Sequence, residues 1–449
     1  MVSLMIGKLC VGSHERSFDL VVRVVLINPQ LTALTFSKLR LRVEPNIKKK
    51  EKMLAQKIKE NIYWIGALDW DRRLFDELIP LPDGTSYNSY LIQGKDKTAL
   101  IDTVDPSMSR AFLNSLDRMG VEQIDYVITN HAEQDHSGTL TEILAKYPKA
   151  QVVCTPKCKN MLFDFNLAPE NRMLEMEDGS TLCLDGKTLE FLHTPWVHWP
   201  ETMVTYLRED KILFSCDFFG SHLASTEPYA NNDDLVYRAA KRYYAEIMMP
   251  FRKMIKKHLD KINKYEISII APSHGPMYSK PNFIIDAYHD WVFGEQKNIV
   301  VLPYISMHGS TREMVEYLVD ALVEKGVTVK LFNLTTTDIG ELAISLVDAA
   351  TIVIGSPTVL GGAHPNVVYA AYLANALRPK TKFVSIVGSY SWGGRMVQQL
   401  AEMIPSLDVE VLDPVVTKGF PKSDDYAALD KLAASIAEKH ASLKIQSKK

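Results

Sequence analysis

Asn130-His131-Ala132-Glu133-Gln134-Asp135-His136-Ser137-Gly138 places four metal-capable side chains, His131, Glu133, Asp135 and His136, within six positions. An apolar, strand-like run over residues 124–129 leads directly into it. A strand that ends in a donor-rich loop holds its donors on a rigid edge, where a metal site needs them. Two imidazoles and two carboxylates suit iron or another borderline divalent metal better than a thiolate set would. One such residue would read as a polar cap on the helix expected to start near Ser137. Four in six positions point to a metal.

Further donors lie downstream. Thr194-Pro195-Trp196-Val197-His198-Trp199-Pro200 sets a histidine between aromatics, Leu213-Phe214-Ser215-Cys216-Asp217 ends an apolar strand in an acid, and Ile269-Ile270-Ala271-Pro272-Ser273-His274-Gly275 ends another in a histidine. The resulting seven donors are four histidines and three carboxylates. They are too many for one tetrahedral ion and suit two metals with one carboxylate bridging. His193 is a rival to His198, and His222 reads as a residue that orients a ligand. His258 and His289 fall on helical stretches as surface or packing residues. Trp70, Trp199 and Tyr206 read either as shields against bulk water or as core.

The order H-x-E-x-D-H, then His, Asp and His, resembles the metallo-β-lactamase-like domain of the flavodiiron proteins (A-type flavoproteins). The spacings are 61 residues from His136 to His198, 18 to Asp217 and 56 to His274. Tyr63-Trp64-Ile65-Gly66, Leu68-Asp69-Trp70-Asp71, His198-Trp199-Pro200-Glu201 and Pro272-Ser273-His274-Gly275 are similar to that family's text, and the resemblance runs from about residue 58 to about 440. Zinc hydrolases of the same superfold resemble H-x-H-x-D-H instead. The carboxylate of Glu133 adds negative charge, which favours the oxidised metal and redox chemistry at iron. The resemblance implies that His131, Glu133 and His198 hold one iron, that Asp135, His136 and His274 hold a second, and that Asp217 bridges. It also implies an αββα sandwich.

The 449 residues suffice for two or three domains, and 46% apolar with 23% charged residues is a soluble globular balance. A net charge of −3 argues for neither nucleic acid nor an anionic membrane as partner. No apolar stretch reaches transmembrane length. Cys10, Cys154, Cys158, Cys183 and Cys216 form no C-x-x-C pair, which predicts a reducing cytoplasm, no disulfide framework and no rubredoxin-like module. Cys154 and Cys158, four apart, lack a second pair to complete a zinc site and read as plain thiols. Residues 1–52 carry ten Lys/Arg against four Asp/Glu and no periodic element. They read as a mis-called extension ahead of a start at Met53. A basic, weakly ordered arm or an organelle-targeting segment is the alternative.

Residues 53–297 read as the β-rich metal domain. From 298 the period changes to alternating βα units, with strands expected at 298–304, 327–332, 350–354, 383–387 and 409–412. A helix is expected over 311–325, with Met314, Val315, Leu318, Leu322 and Val323 on one face. Such a pattern predicts a doubly wound parallel sheet, and five strands suit the flavodoxin-like order. Its ligand belongs beyond the carboxyl ends of the strands. Ser306-Met307-His308-Gly309-Ser310-Thr311 follows the first strand and opens the first helix as a hydroxyl-rich anion cradle without Lys or Arg. It is similar to the loop with which flavodoxins hold FMN. Ser356-Pro357-Thr358-Val359-Leu360-Gly361-Gly362 and Gly388-Ser389-Tyr390-Ser391-Trp392-Gly393-Gly394 can lie along the isoalloxazine ring, with Tyr390 or Trp392 stacked on it. The second loop departs from the family's Asn-rich text. A flavodoxin-like receiver without cofactor would need a cluster of acids here, which the chain lacks.

FMN and two irons per chain would together deliver four electrons to dioxygen, giving water, or two electrons to a pair of nitric oxide molecules, giving nitrous oxide. No G-x-G-x-x-G fingerprint is present, so NAD(P)H is not expected to bind directly. The resemblance implies an external donor, either rubredoxin-like or a reduced deazaflavin coenzyme. It also implies a head-to-tail homodimer or a dimer of dimers. A zinc hydrolase fused to a flavodoxin is the alternative enzyme, which Glu133 disfavours. A non-catalytic electron carrier is disfavoured by the intact donor set.

Overall fold

The computed structural model describes residues 55–443; the expectation for residues 1–52 lies outside them. Two sheets face each other in the first part of the chain. The first runs Gln56–Lys59, Ile62–Trp64, Tyr90–Gln93, Thr98–Ile101, Tyr126–Ile128, Gln151–Cys154, Met173–Glu175. Its early strands pair antiparallel and its later ones parallel. The second runs Thr181–Cys183, Thr188–His193, Met203–Leu207, Ile212–Cys216, Ile269–Pro272.

Both strand faces are apolar, and the two-residue period sorts them. Tyr90, Ile92, Ile101, Ile128 and Val153 meet Phe191, Met203, Phe214 and Ala271 between the sheets. Their neighbours Leu91, Leu100, Val127 and Val152 point outward against Phe112, Leu116, Leu140 and Leu162 of covering helices. On the far side Leu192, Val204, Leu213 and Ile270 pack against Tyr243, Ile255, Leu259 and Trp291. Strands buried on both faces need a helix layer on each side, and the result is the αββα sandwich.

A separate sheet follows, in the order Thr328–Asn333, Lys297–Tyr304, Ala349–Val359, Phe383–Tyr390, and then a fifth strand in two pieces, Glu410–Val411 and Val415–Lys418. The main ladder is parallel throughout, in the doubly wound order 2-1-3-4-5. Helices Ser310–Glu324 and Ser423–Ser442 cover one face, and Ile339–Leu346, Pro365–Leu377 and Met396–Glu402 cover the other.

Three local expectations change. Val323 is 58% exposed while Met314, Val315, Leu318 and Leu322 are buried; nine positions after Met314 it lies on the opposite side of the helix. The third strand runs on through Val359 and turns back at Leu360-Gly361, both in the left-handed region (φ 54° and 81°), to pair with Gly362–Ala363. That is the two-residue hairpin turn that favours glycine. The fifth strand extends past 412 but breaks around Pro414, which has no N–H for the ladder.

The two parts share a packed junction. Leu342, Ala343 and Leu346 belong to the same core cluster as Tyr244 and Met248. Arg242 Nη2 donates to both oxygens of Asp338 at 2.7 and 2.8 Å, and Lys241 Nζ lies 2.6 Å from Asp348. Gly340 sits where a Cβ would collide with Arg242 and Glu246. Lys380 Nζ donates to the carbonyls of Gly294 (2.5 Å) and Asp290 (3.1 Å), closing the last turn of the helix Pro281–Phe293. No helix among the described residues is long and apolar enough to cross a membrane.

Candidate metal centre and flavin site

Four strand ends converge at one edge of the sandwich. The strand Tyr126–Ile128 delivers the loop 130–138 and the short helix Gln134–Ser137; Met203–Leu207 is preceded by the loop that carries His198; Ile212–Cys216 ends at Asp217; Ile269–Pro272 ends before His274. All seven expected donors meet there. His131, Glu133, His198 and Asp217 form one group of donor atoms within 4.8 Å of one another, and Asp135, His136 and His274 form a second.

Asp217 touches both groups with different oxygens. Its Oδ2 lies 3.5 Å from His131 Nε2 and 3.4 Å from His198 Nε2, and its Oδ1 lies 3.0 Å from His136 Nε2 and 3.4 Å from His274 Nε2. Glu133 Oε2 stands 3.0 and 3.1 Å from His131 and His198, and Asp135 stands 2.9 and 3.3 Å from His274 and His136. Both oxygens of Asp135, both of Asp217 and Nε2 of His136 are buried yet make no hydrogen bond, although their neighbours are close. Atoms that crowd without pointing at one another are aimed at common points. Leaving such groups unpaired is costly, and a pair of divalent ions would satisfy them, so the donor set fits a dinuclear centre.

The back sides of two of the imidazoles, His131 and His274, are also fixed. His131 Nδ1 lies 2.6 Å from Glu201 Oε1, which accepts the backbone N–H of Ala132 at 3.0 Å as well. His274 Nδ1 donates to the Ser86 carbonyl at 2.7 Å. A carbonyl only accepts, so Nδ1 carries the proton and Nε2 presents its lone pair inward. Trp199 sets its ring edge-on to His131, 5.0 Å between centroids. Behind the loop, Asp102 accepts from the backbone and side-chain N–H groups of Asn130 at 2.8 and 2.9 Å, tying the strand end in place.

The remaining histidines separate cleanly. The His193 ring bonds the Met176 carbonyl (2.9 Å), outside both groups. His222 is buried, with Nδ1 2.9 Å from Thr85 Oγ1 and its ring 4.9 Å from that of His274. His258 is buried on its helix against the Pro195 carbonyl, and His289 stacks on Phe293. Tyr206 bonds the Glu266 carbonyl as core, and Trp70 is half exposed. Cys154 and Cys158 are buried free thiols.

At the carboxyl end of the parallel sheet, Ser310 and Thr311 open the helix Ser310–Glu324 after Gly309, whose φ of 94° favours glycine. Their hydroxyls both meet Ser389 Oγ, at 3.0 and 2.9 Å, and Ser306 Oγ accepts the Arg312 N–H at 3.1 Å. The hairpin 356–363 and the loop 388–394 stand beside this cradle: Ser356 Oγ accepts from the His364 N–H, and Gly394 closes on Thr358. Met307 (47%), Leu360 (95%) and Trp392 (81%) are exposed around it. Gly361 and Gly393 border open space. A hydroxyl-lined helix N-terminus with an open shelf fits a flavin phosphate and ring.

Comparison with known proteins gives the same answer. Residues 85–275 match the family model described as ODP family beta lactamase. The chain is 36% identical over 400 residues to the nitric oxide reductase of Moorella thermoacetica, covering 85% of this chain and 98% of that one. It is 33% identical over 404 residues to the coenzyme F420H(2) oxidase of Methanothermobacter marburgensis, covering 86% and 99%. The crystal structure of the flavodiiron protein from Giardia intestinalis superposes with a TM-score of 0.80 at 27% identity, covering 87% of this chain and 97% of that one. The chain belongs to the flavodiiron proteins. That family is one of oxidoreductases whose cofactors are FMN and a diiron centre.

In this flavodiiron protein the sequence pattern passed over three contributors. Glu201 ends the run His198-Trp199-Pro200-Glu201, which does not mark it as a partner of His131, and the Ser86 carbonyl has no side-chain signature. The turn Thr417–Phe420 brings Phe420 against Gly309, a fourth wall to the flavin cradle. A Gly-Phe-Pro run after the last strand was the available signal.

The donor cluster also sets a pH response. Burial opposes the charge on His136, but Asp135 and Asp217 outweigh it and raise the imidazole to about 9. His198 reaches about 9 in the same way, through Asp217 and Glu133. A pKa raised on folding stabilises fully below the unfolded value of about 6.5, and that stability is lost as pH rises through about 9. Metal-stripped protein is therefore expected to lose thermal stability across that window. Iron-loaded protein, its imidazoles neutral and coordinated, should not. Calorimetry with and without chelator checks this; parallel pH profiles would count against a metal competing for these nitrogens.

Proposed function

We propose that this flavodiiron protein reduces a diatomic oxidant, dioxygen to water or nitric oxide to nitrous oxide, with electrons from an external carrier. The observation that carries the reading is Asp217, whose two carboxylate oxygens face two separate donor groups. In this reading His131, Glu133 and His198 would hold one iron, Asp135, His136 and His274 would hold the other, and Asp217 would serve both. Bound iron supplies one-electron steps and bound FMN a two-electron store. The protein supplies position. Glu133 brings a negative charge in place of an imidazole, Glu201 and the Ser86 carbonyl orient ligand rings, and Trp199 keeps bulk water off His131.

For FMN, we assign the phosphate to Ser306, Met307, His308, Gly309, Ser310 and Thr311. The ring would lie along Ser356, Pro357, Thr358, Val359, Gly361, Gly362, Ser389, Tyr390, Trp392, Gly393 and Gly394. The metal unit is placed in residues 53–297 and the flavin unit in 298–449. We further propose a head-to-tail homodimer, alone or doubled into a tetramer, in which the flavin of one chain faces the irons of the other. A closed two-fold contact of this kind leaves no open ends. The exposed apolar side chains Met307, Leu360 and Trp392 around the proposed flavin cradle, Trp70, Leu74 and Leu78 in the segment whose Phe75 packs on the His274 ring, and Trp196 two residues before His198 support it. The electron donor is a rubredoxin-like protein or a reduced deazaflavin, the latter supported by the name of the Methanothermobacter relative.

The test is anaerobic. Chemically reduced protein is mixed with dioxygen or with nitric oxide, and flavin reoxidation and gas consumption are followed. Fast reoxidation by at least one gas, giving water or nitrous oxide, is expected. Reoxidation by neither gas would overturn the proposal.

A further inference from the structure

A cavity of about 180 Å³ lies between the loop 80–83 and the helix Asp233–Tyr243 with its π-helical continuation Tyr244–Met248. Its outer wall is exposed, with Asp83, Leu235 and Arg238 at the mouth. Its inner wall is formed by the buried residues His222 and Tyr243 and by the side chain of Glu246. The Tyr243 ring lies 4.9 Å from that of His222 and 5.8 Å from that of His274, so the inner end stands one side chain from the metal donors. At roughly 30 Å³ per liquid water the space suits a short file of water molecules.

Two buried polar atoms on the inner wall have no partner, Glu246 Oε2 and His222 Nε2. The Glu246 side chain is only 7% exposed. Its Oε1 accepts from Arg242 Nε at 3.1 Å, but Arg242 is shared: Nη2 holds both oxygens of Asp338, and Nη1 lies 3.5 Å from Glu341. Glu341 also takes Arg238 at 2.7 Å. One guanidinium thus stands among three carboxylates. Burial raises the Glu246 carboxyl first, Arg242 opposes, Asp338 and Glu341 add to the rise, and it settles at about 8. Glu246 also occupies the centre of a π-helical turn, a local geometry often found at functional sites.

The proposed reaction needs protons as well as electrons. Dioxygen takes four of each to form two waters, and two nitric oxide molecules take two of each to form nitrous oxide and water. Glu133 and His198 keep only 12% and 14% exposure, on the face that a second chain's flavin would cover. Protons need another entrance. We propose that this cavity is the proton-entry route of the metal centre and that Glu246 is the acid that feeds it. The inference rests on the function proposed above. The Glu246 O–H proton passes to cavity water and on past Tyr243 and His222, whose rings adjoin each other and that of His274, to the metal centre, where it is consumed in the new O–H bonds of product water. The carboxylate regains a proton from bulk solvent through the mouth at Asp83 and Arg238, and the electrons arrive separately through FMN.

The experiment uses the full chain loaded with iron and FMN. Glu246→Gln keeps the shape and an acceptor for Arg242. It is expected to keep iron, FMN and KM while kcat falls by about 100-fold, in the range of a lost general acid. Wild-type turnover should decline as pH rises through about 8, and the variant should lose that limb and show a larger solvent deuterium isotope effect. Glu246→Ala should regain turnover when formate is added as a small carboxylic acid. Ala239→Leu, which narrows the cavity without touching Glu246, should slow turnover as well and serves if the glutamine variant fails to fold. Apart from turnover, infrared titration of wild-type protein should show a protonated carboxyl band that is absent from Glu246→Gln. Wild-type kcat and pH profile in the loaded variants, or no such band, would overturn the proposal. Wild-type protein inert to both gases would overturn the function reading instead, and the band would still decide whether Glu246 carries the proton.

Discussion

Replacing Asp217 with alanine should empty the metal centre. The wild-type chain is expected to hold about two irons, since seven donors split into two groups match a dinuclear site. Among the three carboxylate donors, Asp217 is the one within 3.5 Å of histidines in both groups. Its loss removes one donor from each, and it removes the negative charge that lets His131, His136, His198 and His274 crowd together. Loss of both metals, not one, is therefore expected, read by elemental analysis of protein purified from iron-replete cells. Glu201→Gln should weaken binding only about 10–100-fold, as outer-shell changes do. His193→Ala should keep both irons, because its ring bonds the Met176 carbonyl. An Asp217→Ala protein that retains two irons would refute the bridge, and stoichiometric zinc without iron in the wild type would favour the hydrolase alternative.

The double change Ser310→Asp and Thr311→Asp should leave the protein colourless. These hydroxyls meet Ser389 at the start of a 15-residue helix, and no Lys or Arg precedes Arg312 there. Two carboxylates would face the phosphate with no cation to offset them; each like-charge contact at about 4 Å costs around 1 kcal/mol even in water and several at lower dielectric. FMN released by heat, measured by fluorescence, should fall below detection. This variant also tests the assembly. Co-expressed with Glu133→Ala/His136→Ala, it should regain activity in mixed dimers, since one intact flavin then faces one intact metal centre. No recovery in verified mixed dimers would exclude electron transfer between chains.

Local patterns were legible in the sequence and long-range ones were not. His131, Glu133, Asp135 and His136 sit so close in the chain that any fold must bring them together. His198, Asp217 and His274 were readable because each follows a strand-like run or a family word. Glu201 reaches His131 from 70 positions away, and the Ser86 carbonyl reaches His274 from 188. No local period encodes either contact. The alternating βα rhythm located all five strands of the parallel sheet. Val323 follows the buried Leu322 and is apolar, but it lies opposite Met314 on the helix, so residue type alone does not place it on the buried face. The rhythm also missed the extension of the third strand through Val359, where a turn-like Gly-Gly run proves to be the return of a hairpin. Glu246 carried no motif. Its character comes from Asp338 and Glu341, more than 90 positions later, competing for Arg242.

The junction held by Arg242, Lys241 and Lys380 has a mechanical consequence. Asp348 of the second part is gripped by Lys241 of the first and by Lys297 at the boundary between them, and the same apolar cluster runs through both parts. Swinging one part against the other would strand buried charges and open that cluster, so residues 55–443 behave as a single lever and not as two beads on a string. In the head-to-tail dimer proposed above, the spacing between flavin and metal would then be settled when two chains come together and would not be searched for again at each turnover.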